Sequence, residues 1–163
     1  MRARTVTAIM IGAALILPAV APAQPKYTGP KPLKQDLPYL VQGDTLIALE
    51  VNTASQQDRK DDTLYTIPGD ASAAKTPLAS PVFVLDAAKI DATKLQLFRM
   101  EVKSGHREIV FRKKGKSVLQ PITVSVSVVS GTLYRLEVVP GLENGEYSLS
   151  PEGSNQVFSF SVF

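Results

Sequence analysis

The chain has 163 residues, 44% of them hydrophobic, with 18 basic and 15 acidic side chains. It contains no cysteine, which excludes disulfide bonds, thiolate nucleophiles, thiolate metal ligands and the acylated cysteine of a lipid-anchored exported protein. A chain of this length can form one domain that buries about two-thirds of its unfolded surface, so packing alone can stabilise the fold.

Residues 1–23 have the three-part pattern of a cleavable secretory signal peptide. Arg2 and Arg4 give a positive start, residues 6–20 are almost wholly apolar, and residues 21–23, Ala-Pro-Ala, supply the small side chains of a cleavage site. The alternative is an uncleaved membrane anchor, but the apolar run is shorter than the ~20 residues needed to cross a bilayer. We therefore predict cleavage after Ala23 and export to the periplasm or the extracellular space.

Cleavage changes the charge of the protein. Loss of Arg2 and Arg4 reduces the basic residues to 16, against 15 acidic ones. Because the mature chain is nearly neutral, a general attraction to nucleic acid or membranes is not expected, and only a local patch could bind an anion. No transmembrane segment is predicted in the mature chain.

Residues 24–38 contain four prolines and no apolar period, which is typical of an extended arm or linker. The arm is either a docking strand or spacer, or a disordered terminus. The predicted domain covers residues 39–163.

In that domain apolar and polar residues alternate, as they do in half-buried β-strands. The clearest case is 122–128, where isoleucine and valines alternate with threonine and serines. The predicted strands are 45–51, 96–103, 108–112, 122–128, 133–139 and 157–163. One short helical segment is predicted at 86–93, and loops are predicted at 54–62 and 69–81.

Glycine-containing turn signals recur about every ten residues in the second half of the chain, and this spacing is typical of antiparallel sandwiches and barrels. We predict an all-β fold, an antiparallel sandwich of about 7–9 strands.

The segment 142–147, Leu-Glu-Asn-Gly-Glu-Tyr, spaces Leu142, Gly145 and Tyr147 in a way that resembles the tyrosine corner of immunoglobulin-like and fibronectin type III-like sandwiches. The resemblance implies that the leucine enters the core and that the tyrosine hydroxyl bonds back to the chain. It also implies a penultimate strand at 145–150 and a last strand after it. The chain has no tryptophan or cysteine pair of the antibody type. A different antiparallel sandwich or barrel is the competing topology.

The single histidine, His106, follows Gly105 at a predicted hairpin tip, where we expect an exposed turn residue rather than a catalytic base. One histidine and no cysteine leave no basis for a histidine-based zinc site. No serine lies in a nucleophile-elbow pattern. We predict no catalytic residue, and we expect Glu143 and Glu146 to be surface residues.

Asp58, Asp61 and Asp62 lie within five residues of a predicted loop, and oxygen-rich loops of this kind can bind calcium. Arg59 and Lys60 interrupt them, so a solvated loop is favoured. We predict no metal site and no cofactor.

Residues 99–116 carry seven basic residues against two acidic ones. If 97–103 and 107–112 form a hairpin, several cations gather on its outer face. The predicted anion-binding patch consists of Arg107, Arg112, Lys113, Lys114 and Lys116. The alternative is that these cations only protect an exposed sheet edge.

We predict an exported, non-catalytic interaction or structural module that contacts protein partners in the cell envelope or the extracellular space. The first alternative is a binding module for an anionic envelope glycan or a lipid headgroup through the basic hairpin. The second is an enzyme that uses carboxylates brought together by the fold.

Overall fold

The computed structural model describes residues 28–113 and 118–163. The predicted signal peptide, the start of the arm, Lys114 and Lys116 lie outside these residues. The described chain is all-β, apart from one 3-10 turn at Ala92–Lys94. In chain order its thirteen strands are β1 (Tyr39–Gln42), β2 (Thr45–Ala48), β3 (Glu50–Thr53), β4 (Ser55–Asp58), β5 (Asp62–Pro68), β6 (Lys75–Thr76), β7 (Val82–Asp86), β8 (Leu95–Lys103), β9 (His106–Arg112), β10 (Val124–Ser130), β11 (Leu133–Val138), β12 (Gly145–Pro151) and β13 (Gln156–Val162).

The strands form two antiparallel sheets. Sheet A has the order β10-β11-β7-β1-β2, and sheet B has the order β3-β13-β12-β8-β9-β5-β4, with the short β6 added parallel to β13. The prediction of an all-β antiparallel fold is confirmed. More strands are present than predicted. The chain changes sheet at Leu49, which divides the predicted strand 45–51 into β2 and β3, and the predicted loops 54–62 and 69–81 contain β4 and β6.

The main hydrophobic core lies between the two sheets. Alternate residues of each strand point to one face, so Phe83 and Leu136 of sheet A meet Leu149, Phe158 and Phe160 of sheet B. All five side chains are fully buried. The rings of Phe83 and Phe160 pack edge to face, with centroids 5.0 Å apart.

Sheet B is strongly curled. Its two end strands, β3 and β4, are consecutive in the chain and are joined by Ala54, so the ends of the sheet meet. A second, smaller hydrophobic cluster fills the inside of the curl and consists of Ala54, Ile67, Met100 and Val157. The predicted loop 54–62 is wrong in this respect, because it contains β4, which hydrogen-bonds along β5.

The predicted corner is confirmed in its local geometry. Leu142 is buried, Tyr147 is 2% exposed, and the Tyr147 hydroxyl donates a 2.8 Å hydrogen bond to the carbonyl oxygen of Glu143. A side chain at Gly145 would approach the Arg99 guanidinium to 3.3 Å. The predicted last two strands correspond to β12 and β13.

The predicted helical segment 86–93 is reduced to the 3-10 turn, which Asp91 caps by accepting a 3.0 Å bond from the Thr93 amide. Asp36, near the end of the predicted arm, accepts bonds of 2.8–3.0 Å from three amides of the β7–β8 connection. Leu33, earlier in the arm, is 92% exposed. Among the described residues, no helix has the length and apolarity needed to cross a membrane.

Candidate functional site

A cleft opens where β9 leaves β8. These strands pair only between Glu101–Lys103 and His106–Glu108, whereas β9 stays paired with β5 along its whole length. Beyond the hairpin tip, β9 and β5 therefore diverge from the first half of β8. The resulting space lies inside the curl of sheet B, between β4, β5 and β9 on one side and β8, β12 and β13 on the other.

The base of the cleft is aromatic. Phe111 of β9 packs edge to face against Phe98 of β8, with ring centroids 5.0 Å apart, and against Tyr65 of β5 at 5.5 Å. Ala54, Ile109 and Val157 add aliphatic surface to the lining. The cleft has a volume of about 340 Å³, which is at the lower end of the ~300–1,000 Å³ typical of small-molecule sites.

The rest of the lining is polar but uncharged. Among the described residues, no charged side chain borders the cleft; the polar ones are Gln56, Thr63, Gln96, Ser148, Ser150, Ser154 and Asn155. Within the described chain the side-chain amides of Gln96 and Asn155, two of these lining residues, form no hydrogen bond. They are therefore free to bond a ligand.

Ser148 is the most unusual of these residues. It lines the cleft and is fully buried, yet its Oγ has no hydrogen-bond partner in the part of the chain that the structure describes. A buried hydroxyl left unbonded costs about 1–3 kcal/mol, so Ser148 is an energetically unfavourable position in the wall of the cleft.

A buried charged cluster lies at the inner end of the cleft. We call it the Arg107 cluster, and it consists of Arg107, Glu50, Glu146, Ser72 and Ser159. Arg107 is 1% exposed and donates to Glu50 Oε1 at 2.9 Å, Glu146 Oε2 at 3.4 Å, Ser72 Oγ at 2.5 Å and Ser159 Oγ at 3.3 Å. Its Nε and Nη2 also bond the carbonyl oxygens of Gly69 and Pro68.

The Arg107 cluster and the cleft are neighbours. A cavity of about 10 Å³ is lined by Arg107 and shares Ala54, Tyr65, Ile109 and Val157 with the cleft. The cluster also holds the 69–74 segment, because the Ser72 amide and hydroxyl donate to Glu146 and the Ala73 amide donates to Glu50.

Glu50 is held in its ionised form. Partial burial raises the pKa of its carboxyl, but hydrogen bonds from Asn52, Arg107 and the Ala73 amide outweigh burial, and the pKa lies below the ordinary value.

The structure corrects two sequence predictions. Arg107 is buried and is not available to a surface patch, and Glu146 is 6% exposed rather than a surface residue. The physical reason is the curl of sheet B, which turns this face of β9 and β12 towards the inside. The sequence did contain a signal for the burial of Arg107, because alternate residues of a strand share a face and Arg107 therefore lies on the same face as the apolar Ile109 and Phe111.

Of the other four residues of the predicted patch, the structure describes two. Arg112 and Lys113 are exposed at the end of β9, where Lys113 Nζ bonds the Arg59 carbonyl oxygen at 2.6 Å. Lys114 and Lys116 lie outside the described residues. The neighbouring cations of the hairpin are paired, Arg99 with Glu143 at 2.5 Å and Lys103 with Glu101 at 2.9 Å.

His106 and the aspartates of 58–62 lie outside the cleft lining. His106 is partly exposed, and its Nε2 lies 3.1 Å from Glu108 Oε2. Asp58 accepts a 2.8 Å bond from Thr63. The described residues contain no group of three or more His, Asp or Glu side chains that could hold a metal ion.

The fold and the cleft define an all-β, sandwich-like protein with an uncharged aromatic cleft. Comparison of the chain with protein-family models, with curated proteins and with solved structures finds no match.

Proposed function

We propose that the chain is an exported, non-catalytic β-sandwich module of the immunoglobulin-like kind, and that it binds an uncharged, hydroxyl-bearing ligand in the cleft. The observation that carries the proposal is the combination of an aromatic base with unbonded amide and hydroxyl groups in one cavity of about 340 Å³. The module would act in a cell-envelope or extracellular assembly, where neutral glycans are available as ligands.

The chemistry of the lining favours a neutral saccharide. The C–H face of a sugar ring packs on aromatic rings such as Phe111 and Tyr65, and its hydroxyls bond amides such as those of Gln96 and Asn155. An ionised ligand would have no opposite charge to meet there, and burial of an unpaired charge is costly. The volume suits a ligand of one or two sugar rings.

The alternatives receive less support. The basic hairpin offers Arg112 and Lys113, while Arg107 is buried and Arg99 and Lys103 are paired with glutamates. Glu50 and Glu146 are brought together by Arg107, but hydrogen bonds already engage both carboxylates. Neither arrangement supports anion binding or carboxylate catalysis as well as the cleft supports binding of a neutral ligand.

The test is to titrate the protein, residues 24–163, with a panel of neutral and acidic oligosaccharides and to measure binding by calorimetry or NMR. We expect a neutral saccharide to bind with an affinity that is insensitive to salt. Gln96→Ala or Asn155→Ala should weaken binding by about tenfold, the effect of losing one hydrogen bond of ~1.4 kcal/mol. Gln120→Ala is the matched control, because Gln120 is exposed and does not line the cleft.

Three results would contradict the proposal. These are no binding of any neutral saccharide, binding that both cleft variants leave unchanged, and preferential binding of acidic polymers that salt abolishes. Export is tested separately by the mass of the protein isolated from outside the cytoplasm, which should correspond to a chain that begins at Gln24.

A further inference from the structure

The outer edge of β10 is the longest free strand edge of the described molecule. The end strands of sheet B, β3 and β4, have four residues each, and of the two end strands of sheet A, β2 has four residues and β10 has seven. Of the described strands, β11 is the only one that pairs with β10.

This edge lacks most of the usual protection. Exposed edges normally carry lysines, prolines or inward-pointing charges that prevent pairing with another chain. The sequence of β10, Val-Ser-Val-Ser-Val-Val-Ser, has no charged residue and no proline. A register shift occurs only at its end, between Val128 and Ser130, and Val128 is 55% exposed.

The hydrogen-bond pattern shows which groups point outward. The Val139 amide donates to the Thr123 carbonyl oxygen at 3.4 Å, and the same register pairs Val124 with Val138. Because bonded pairs alternate along an antiparallel ladder, the backbone groups of Ser125 and Ser127 also point to β11. The N–H and C=O groups of Val124, Val126 and Val128 therefore point away from the sheet.

We propose that this edge pairs with β10 of a second copy of the chain, antiparallel, about a two-fold axis at Val126. Each Val124 then lies opposite Val128 of the other copy, and each Ser125 opposite Ser127. The strand is self-complementary in this register: valine meets valine, serine meets serine, and no like charges are brought together. Both copies use the same edge, so the interface closes at a dimer, with a continuous ten-stranded sheet.

The proposal is independent of the cleft, which lies in sheet B and remains open in such a dimer. Its failure would therefore leave the proposed ligand site untouched.

The absence of native cysteine allows a sharp test of the register. Residues 125 and 127 of the two copies form a non-hydrogen-bonded pair, with Cα atoms about 4.5 Å apart, within the ~4.4–6.8 Å that a disulfide spans. We expect a mixture of the Ser125→Cys and Ser127→Cys proteins to give a disulfide-linked heterodimer under mild oxidation. Each protein alone should give much less product, as should Ser127→Cys mixed with the control Ser55→Cys, whose thiol is on the exposed β4.

A second measurement addresses association itself. Sedimentation equilibrium of residues 24–163 should show a monomer–dimer equilibrium, and Ser125→Lys/Ser127→Lys should shift it to monomer because like charges then face each other. The control Ser55→Lys/Gln57→Lys should leave the dimer intact. A wild-type protein that is monomeric up to its solubility limit overturns the proposal. So does a dimer that persists in the Ser125→Lys/Ser127→Lys variant. Cross-linking of Ser127→Cys to the control Ser55→Cys as efficient as its cross-linking to Ser125→Cys also overturns it.

Discussion

At the scale of the residue, the most consequential side chain is Arg107. A guanidinium has five N–H donors in a fixed planar arrangement, and here Nε, Nη1 and Nη2 all have acceptors, which include two carboxylates. The burial of this cation is possible because Glu50 and Glu146 meet it from two different strands of sheet B. Arg107 therefore links the curled half of the sheet, through β9, to the half that covers the main core.

Removal of the guanidinium should be strongly destabilising. Arg107→Met keeps the aliphatic stem but leaves Glu50 and Glu146 without their cation, and loss of one partner of a buried ion pair costs about 3–5 kcal/mol. The measurement is the free energy of unfolding in urea. Arg112→Met, a change of the same chemistry at an exposed position of the same strand, should stay within ~0.5 kcal/mol of wild type. Equal stability of the two variants would show that the Arg107 cluster contributes nothing to the fold.

Glu50 should make stability dependent on acid pH. Its pKa in the folded protein lies below the ordinary value of 4.5. Its contribution is therefore complete above about pH 4.5, and it is lost as the pH falls through the folded pKa, since the unfolded chain then binds the proton more readily. Glu50→Gln should reduce the loss of stability between pH 5 and pH 3, measured by urea unfolding at each pH. Glu152→Gln, at an exposed turn, is the control and should leave the slope unchanged.

At the scale of the element, the corner before β12 is the best-defined local structure. It is stabilised by burial of Leu142 and of the Tyr147 ring, which stacks on Phe160 with centroids 5.6 Å apart. The Tyr147 hydroxyl bonds a main-chain carbonyl four residues earlier. Burial raises the pKa of this hydroxyl, so it remains a protonated donor across the neutral range.

Tyr147→Phe isolates the hydroxyl from the ring. We expect a loss of about 0.5–1.5 kcal/mol, the net value of one hydrogen bond, because the ring contacts are kept. Tyr134→Phe is the matched control, since its hydroxyl has no hydrogen-bond partner in the described chain, and it should be nearly neutral. Thermal unfolding of the two variants side by side is the measurement. A Tyr147→Phe protein as stable as the control would remove the hydroxyl from any structural role.

The sequence allowed the strands and the corner to be predicted because both are local patterns. Alternation at 157–163 led correctly to β13, and the spacing of Leu142, Gly145 and Tyr147 led correctly to the corner. The sequence was not sufficient to predict the cleft and the Arg107 cluster, because the curl of sheet B depends on strand pairings between segments that are distant in the chain. Ser159 is fully buried and bonds Arg107, a role that its position in an alternating strand does not distinguish from exposure.

The same limit applies to the cleft. Its aromatic base comes from β5, β8 and β9, and its polar rim also includes the turn between β12 and β13. No window of sequence contains more than a few of these residues, and only the divergence of β9 from β8 brings them together. The one available signal was in β8, where the apolar residues Leu97 and Phe98 are adjacent in the sequence and so lie on opposite faces of the strand; both are buried.

At the scale of the whole molecule, β8, β12 and β13 form a shared wall. One face of this wall carries the main core, with Leu97, Leu149 and Phe158, and the other carries Met100 and Val157 of the second cluster. The cleft and the Arg107 cluster lie on the second face. The same three strands therefore contribute side chains to both hydrophobic clusters.

This arrangement predicts that the two clusters unfold together. Phe160→Ala removes a ring from the main core and should cost about 3–5 kcal/mol, the usual value for a buried phenylalanine. Because the wall is common to both clusters and domains of this size usually unfold in one transition, amide protection should fall equally in β7 of sheet A and in β5 beside the cleft. Hydrogen exchange followed by mass spectrometry of peptides from the two strands measures this directly. Ile67→Ala, in the second cluster, is the reciprocal variant and should reduce protection in β7 to the extent that it lowers global stability. If each variant reduced amide protection only in the strand beside its own cluster, the curled half of sheet B would be a separate folding unit.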